Sequence, residues 1–254
     1  MKANYLRKNG KRWNIREEAG DKLKHFSVTQ GACSDGCYIY MAFEQKPKDG
    51  RPHRIKIAKI NPATMKVEKV SGALNLGHAN DMCIFSGELL ITHSGTKKII
   101  HRVSLSSFKK LKDIPIDVPK KYRKHITGFN GIAKNSDNEL ILRCMGGNYV
   151  AYLDDKFKIR KVTKFTKPFE KRDSQGMDYS KGVLYRSYSR LQSASKNYIC
   201  KFKPDGKLIS KMQVKSKGEL ESVFIHQGKI YGTMHRKKTK DGKTRCMSYI
   251  FEGK

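Results

Sequence analysis

Short apolar runs broken by turn residues dominate the chain. Five of them read Gly36-Cys37-Tyr38-Ile39-Tyr40, Gly87-Glu88-Leu89-Leu90-Ile91, Asn138-Glu139-Leu140-Ile141-Leu142, Gly182-Val183-Leu184-Tyr185 and Gly228-Lys229-Ile230-Tyr231. Each opens on Gly or Asn, the residues that supply the positive backbone angle of a tight hairpin, and each is therefore expected to be the second strand of one. Upstream of every run, an amide or acid precedes a small or polar residue: Val28-Thr29-Gln30-Gly31, Ala79-Asn80-Asp81, Phe129-Asn130-Gly131, Ser174-Gln175-Gly176 and Leu220-Glu221-Ser222. These anchors recur every 45 to 50 residues. The second strands end 14 or 15 residues after them, at Glu44, Ser94, Met145, Ser189 and His235.

Third strands follow at residues 54–60, 98–103, 148–153, 197–202 and 245–251. Fourth strands follow at residues 65–70, near 111–116, at 157–163 and at 207–214, the last after the turn signature Pro204-Asp205-Gly206. The fifth unit runs out of chain before its fourth strand, and the unassigned residues 12–17 are expected to supply it. Four-stranded repeats of this period are propeller blades. The chain is thus expected to be all-β, a single five-bladed β-propeller over residues 1–254. Its four-stranded antiparallel blades fall near 26–70, 78–116, 126–163, 175–214 and 219–251, with the ring closed by the N-terminal strand. Both faces of the second strands are apolar, Ile39, Leu89, Leu140, Leu184 and Ile230 on one and Tyr40, Leu90, Ile141, Tyr185 and Tyr231 on the other. A sheet packed on two neighbours needs this, whereas a sandwich, the alternative architecture, leaves one face polar. Long 3.6-period runs are scarce.

Antiparallel neighbours place the start of each first strand beside the end of each second strand. One face of the disc therefore gathers Gln30, Asn80, Asn130, Gln175 and Glu221 around the channel, with Glu44, His93, Arg143, Arg186 and His235 just outside. His78 and Asp81 flank the second anchor and Asp178 follows the fourth. Such a ring is either architectural, each amide bonding a neighbouring blade, or a ligand site. The mixture favours a ligand, because Glu221 and the cluster His78-Ala79-Asn80-Asp81 break the repeat. The ligand residues are then Gln30, Asn80, Asp81, Asn130, Arg143, Gln175, Asp178 and Arg186. If the mouth is catalytic, the candidates are Glu221 or Glu44 as base with His78 or His235 as partner, and a carboxylate pair across a channel suits glycoside hydrolysis. No cofactor motif is present. A metal ion at the mouth would rest on His78, Asp81 and Glu221, since imidazole with carboxylate suits zinc or manganese and carboxylates alone suit calcium. Serine-hydrolase elbows, phosphate loops and dinucleotide fingerprints are missing.

The formal charge of +31, from 54 Lys and Arg against 23 acids, exceeds what solubility needs and points to anionic polymers as partners. The excess is mostly lysine and spread over the whole length, which suits a solvated surface and nonspecific polyanion attraction better than phosphate reading. A nucleic-acid protein ranks third, because Tyr122 between Lys121 and Arg123 is the only tight aromatic and basic interleaving. Residues 1–20 hold no apolar run of secretory-signal type and no stretch reaches membrane-span length, so a cytoplasmic monomer is expected. The six cysteines fit a reducing cytosol or a pairing that their spacing leaves open, and the five inside apolar strand-like runs are expected to be buried free thiols rather than metal ligands.

Val28-Thr29-Gln30-Gly31 leading into a hairpin, with Glu219-Leu220-Glu221 opening the last one, resembles the plant and bacterial glutaminyl cyclases. That resemblance implies a five-bladed propeller that cyclises N-terminal glutamine at the channel mouth. Similar propellers occur among carbohydrate-active enzymes, phage baseplate proteins and bacteriocins. On the residues alone, a binding module for a small polar, carbohydrate or peptide-end ligand stands ahead of an enzyme at the same mouth.

Overall fold

The computed structural model describes residues 1–45, 53–145, 148–170, 172–189, 197–216, 218–240 and 243–253. The chain opens with β1 (Ala3–Tyr5), a small hairpin of β2 (Arg7–Lys8) and β3 (Lys11–Arg12), and the helix α1 (Ile15–Ala19). The first blade holds β4 (Val28–Ser34), β5 (Ile39–Gln45), β6 (Arg54–Asn61) and β7 (Lys66–Val70). The second holds β8 (Asp81–Phe85), β9 (Glu88–Thr92), β10 (Ile99–Ser104) and β11 (Ile114–Pro115). The third holds β12 (Phe129–Lys134), β13 (Leu140–Cys144), β14 (Tyr149–Leu153) and β15 (Ile159–Lys164). The fourth holds β16 (Asp173–Ser180), β17 (Val183–Ser189), β18 (Asn197–Phe202) and β19 (Leu208–Val214). The last is β20 (Glu219–His226), β21 (Lys229–Lys240) and β22 (Lys243–Gly253), completed by β1.

Every sheet is an antiparallel meander, and the first strands β4, β8, β12, β16 and β20 pack each on the next and the last on the first. The protein is therefore an all-β ring of five four-stranded blades. The turns are those the sequence implies: Gly36, Gly87, Asn138, Gly182 and Gly228 all adopt positive φ. In three blades the residue before the glycine, Ser86, Lys181 or Gln227, does so as well. Two consecutive positive angles match the right-handed twist of the strands they join.

Apolar alternation on the second strands is resolved into blade interfaces. Ile39 packs toward the fifth blade with Phe224 and Ile250, while its neighbour Tyr40 packs toward the second with Met82 and Leu89. Leu90 and Leu140 meet between blades two and three, Ile141 and Leu184 between three and four, and Tyr185 and Ile230 between four and five. Burial of each fully enclosed Leu or Ile contributes about 1.5–3 kcal/mol, so the five interfaces carry the fold.

The ring is closed by an N-terminal strand, as expected, but at other residues. The strand that completes the fifth blade is β1, with Ala3, Asn4 and Tyr5 opposite Gly253, Glu252 and Phe251, and residues 12–17 are not part of that sheet. Arg12 instead ends β3, and Ile15–Glu17 enter α1, where the Asn14 side chain caps the helix by accepting from Arg16 N at 3.3 Å. Ile15, Ala19 and Leu23, four apart, are buried against the first and last blades. The signal was present as Asn14 followed three residues later by Glu17, a helix-start pattern. Among the described residues no helix is long and apolar enough to cross a membrane, and all six cysteines are free thiols.

Candidate functional site

The anchors occupy irregularities in the strand ladders. Register between first and second strands slips between Thr29 and Ala32, Phe129 and Gly131, Ser174 and Met177, and Leu220 and Ser222. Gln30, Asn130, Gln175 and Glu221 each sit within such a slip, and Asn80 directly precedes β8 behind Ala79 at φ 43°. A bulged residue leaves the ladder and is re-aimed, which explains why a polar residue recurs there. Gln30, Asn80 and Glu221 are buried, and Asn130 and Gln175 are half-buried.

Just past the anchors neighbouring first strands approach each other closely. A Cβ on Gly31 would lie 2.6 Å from Asp81 Cα, and one on Gly176 would lie 2.7 Å from Ser222 Oγ. Asp81 takes the place of the small residue in its blade and reaches across the axis. Its Oδ2 accepts from Ile132 N and Met177 N, both at 2.9 Å, tying the second blade to the third and fourth. Burial raises its carboxyl well above the usual range, against the pull of those amides and of Arg143. Asp178 acts similarly further along β16, accepting from Ile225 N at 2.6 Å and Tyr179 N at 2.8 Å. Burial pushes it up to about 6. Both acids thus serve the contact between blades.

On the side of the third and fourth blades the mouth holds two buried arginines. Arg143, 8% exposed, donates from Nη2 to Asn130 O at 3.1 Å and leaves Nε without a partner. Arg186, 1% exposed, donates from Nε to Ser174 Oγ at 3.3 Å and leaves Nη1 without one. The Arg186 guanidinium lies among Phe165, Tyr188 and Phe202, 5.3 to 5.9 Å from their ring centres. Among the described residues neither arginine forms a salt bridge. Burial and the Arg186 charge pull Arg143 down to about 9. Asn80 Oδ1, Asn130 Oδ1, Thr92 Oγ1 and His93 Nδ1 are also buried without a hydrogen-bond partner among the described residues.

On the side of the first and second blades, Glu44 collects a different set. Its Oε1 is bonded by His53 Nδ1 and, at 2.9 Å, by His78 Nδ1, while Gln30 Nε2 donates to Oε2 at 3.3 Å. Burial raises the Glu44 carboxyl, but the bonds and charges of His78 and His53 outweigh it and hold it below the usual range. His53, at the start of β6, belongs to no sequence anchor. Only its identity as a histidine beside a strand start hinted at it. Gln175 Nε2 donates to Ser189 Oγ at 3.1 Å and to Glu219 Oε1 at 3.3 Å. His235 is buried and stands opposite Glu219 in the ladder. The metal set read from the sequence, His78, Asp81 and Glu221, is not the one that comes together. His78 joins Glu44 and His53, and Asp81 holds backbone amides.

Five radial sheets with polar groups drawn to one end define a five-bladed β-propeller with a candidate ligand mouth. Solved structures carry the same architecture. The tail fibre of Staphylococcus aureus phage P68 is 18% identical with a TM-score of 0.58, over 89% of this chain and 50% of that one. The RS223 β-xylosidase is 14% identical with a TM-score of 0.58, over 98% and 94%. The native Bacillus subtilis arabinanase Arb43A is 13% identical with a TM-score of 0.55, over 89% and 94%. The chain spans half the length of the tail fibre and nearly all of the two hydrolases. At these identities the likeness shows the fold alone. No protein-family model matches the chain, and no curated protein matches it in sequence.

Proposed function

We propose that this propeller is a binding module whose channel mouth holds a small polar ligand, a sugar or a peptide end, through an acidic group seated between Arg143 and Arg186. One observation carries the reading: two arginines at least nine-tenths buried, each with an unpartnered N–H, and no carboxylate in a salt bridge with either among the described residues. Buried cations without a salt-bridge partner are costly, and guanidinium groups match carboxylate oxygens in paired geometry. The unpartnered amide oxygens of Asn80 and Asn130 suit ligand hydroxyls or N–H groups. The lysine-rich surface adds nonspecific attraction to anionic polymers.

The enzyme alternative, a cyclotransferase or glycoside hydrolase, would use Glu221 or Glu44 with His78 or His235. It is the weaker reading, because a general base near neutral pH needs a raised proton affinity and Glu44 is held low. Asp81 and Asp178, the acids that would pair with Glu221 across the channel, are engaged by backbone amides. Calorimetry against neutral and uronic-acid oligosaccharides, and against peptides with free and amidated C-termini, tests the proposal. Acid-bearing members should bind, and Arg186→Met should weaken them by about tenfold or more. No heat from any member, or binding indifferent to Arg186→Met and Gln175→Ala, overturns it.

A further inference from the structure

The cluster on the opposite side of the mouth has a chemistry of its own. Glu44, His53 and His78 each offer one ligand atom, a carboxylate oxygen or a ring nitrogen, and these three atoms all lie within 4.8 Å of one another. We propose that these three residues form a binding site for one zinc-class divalent transition-metal ion, with an open coordination position toward the solvent at the rim of the first and second blades.

Four features support it. The donor set is two imidazole nitrogens and one carboxylate oxygen, which suits zinc, cobalt or nickel, whereas calcium takes six to eight oxygens. Three protein ligands are the number found where a fourth position is left to water or ligand. Burial is graded in the required sense: Glu44 is 1% exposed, and the His53 and His78 side chains are 44% and 36% exposed. The carboxylate is held from behind, since Gln30 donates to Oε2 and leaves Oε1 to the imidazoles. Outer bonds of this kind orient metal ligands.

The ligand backbones are also fixed. Glu44 lies in β5 between Val28 and Ile55 in register. His78 directly precedes Ala79, whose carbonyl accepts from Gly31 N at 3.2 Å. Donors around one tetrahedral zinc sit about 3.3 Å apart, given Zn–N and Zn–O lengths near 2 Å, so small side-chain rotations suffice. Simple neutralisation of a buried acid accounts for less. In a chain with 54 Lys and Arg, the ion-pair partners of Glu44 among the described residues are two imidazoles aimed at one oxygen.

The test uses the full chain, treated with a chelator and then titrated with cobalt(II) alone. One equivalent should raise visible d–d absorption of a low-coordinate nitrogen and oxygen site, and zinc(II) should abolish it. His53→Ala and Glu44→Gln should each weaken cobalt binding by about tenfold or more, with exposed His25→Ala unchanged as control. If Glu44→Gln fails to fold, His53→Ala at its exposed position carries the test. No cobalt bands in the wild type, or bands unaltered in a His53→Ala/His78→Ala double variant, overturns the site. Because the probe is the metal alone, this outcome is independent of whether an acidic ligand binds Arg143 and Arg186.

Discussion

Replacing Arg143 by Met should make the ligand-free protein more stable while removing its affinity for an acidic ligand. The guanidinium is pulled from its ordinary value to about 9 by burial and by Arg186, a loss of more than three powers of ten in proton affinity. At about 1.4 kcal/mol per power of ten, the charged form is disfavoured by on the order of 4 kcal/mol. A base weakened on folding lowers stability wherever both states are protonated, and the penalty lifts only as the pH climbs above about 9, so at pH 7 it applies in full. Met keeps most of the stem but loses the bond from Nη2 to Asn130 O, worth about 1 kcal/mol. The expected net gain is about 1–3 kcal/mol, in line with replacing other buried ions by apolar groups. For a chain of this length that corresponds to a Tm about 3–9 °C higher. Arg186→Met should gain less when added to Arg143→Met than alone, because either change relieves the same repulsion. Urea unfolding at pH 7, followed by far-UV circular dichroism and by the buried Trp13, measures this. A variant about 1 kcal/mol or more less stable than wild type would show that the charge is compensated within the chain, and the acidic-ligand reading would go with it.

Asp81→Ala should lower stability by about 2–6 kcal/mol, since it strips the acceptor from two buried amides at Ile132 and Met177. Asp81→Asn, which keeps that oxygen and drops a carboxyl whose proton affinity is raised by burial, should lose less than half as much by urea midpoint. The low proton affinity of Glu44 means that its contribution is present above about pH 4.5 and is lost as the pH falls below it. The acid limb of stability against pH should therefore flatten in Glu44→Gln, and an unchanged limb would contradict the bonds to His53 and His78. Tyr5→Ala should cost about 3 kcal/mol, because Tyr5 closes the last interface against Tyr249 and Phe251 at ring separations of 5.7 and 6.1 Å. Exposed Lys11→Ala, next to the segment expected to close the ring, should change stability by less than about 0.5 kcal/mol. Comparable losses in the two variants would speak against closure by β1.

Much of the fold could be read from neighbours along the chain. Gly87 and Gly182 mark turns because a two-residue hairpin requires positive φ, and Leu89 beside Leu90 marks a strand enclosed on both faces. Such signals depend on residues a few positions apart, which is why the hairpins and their period were legible. Closure was not, because the capping by Asn14 and the pairing of Tyr5 with Phe251 set a local helix signal against a contact spanning nearly the whole chain. The anchors were legible as a repeat, but their chemistry was not. Whether a polar residue at a bulge meets a backbone amide, a like charge or an imidazole depends on what the neighbouring blade presents. Asp81 thus became a tie between blades, Arg143 met Arg186 with no salt bridge to either among the described residues, and His53 entered beside Glu44 and His78. The sequence by itself determined the strands, the turns and the radial plan, because these follow from backbone geometry and side-chain alternation. Only the tertiary structure decided the site, because its electrostatics arise between residues that the ring, and nothing in the local pattern, brings within bonding distance.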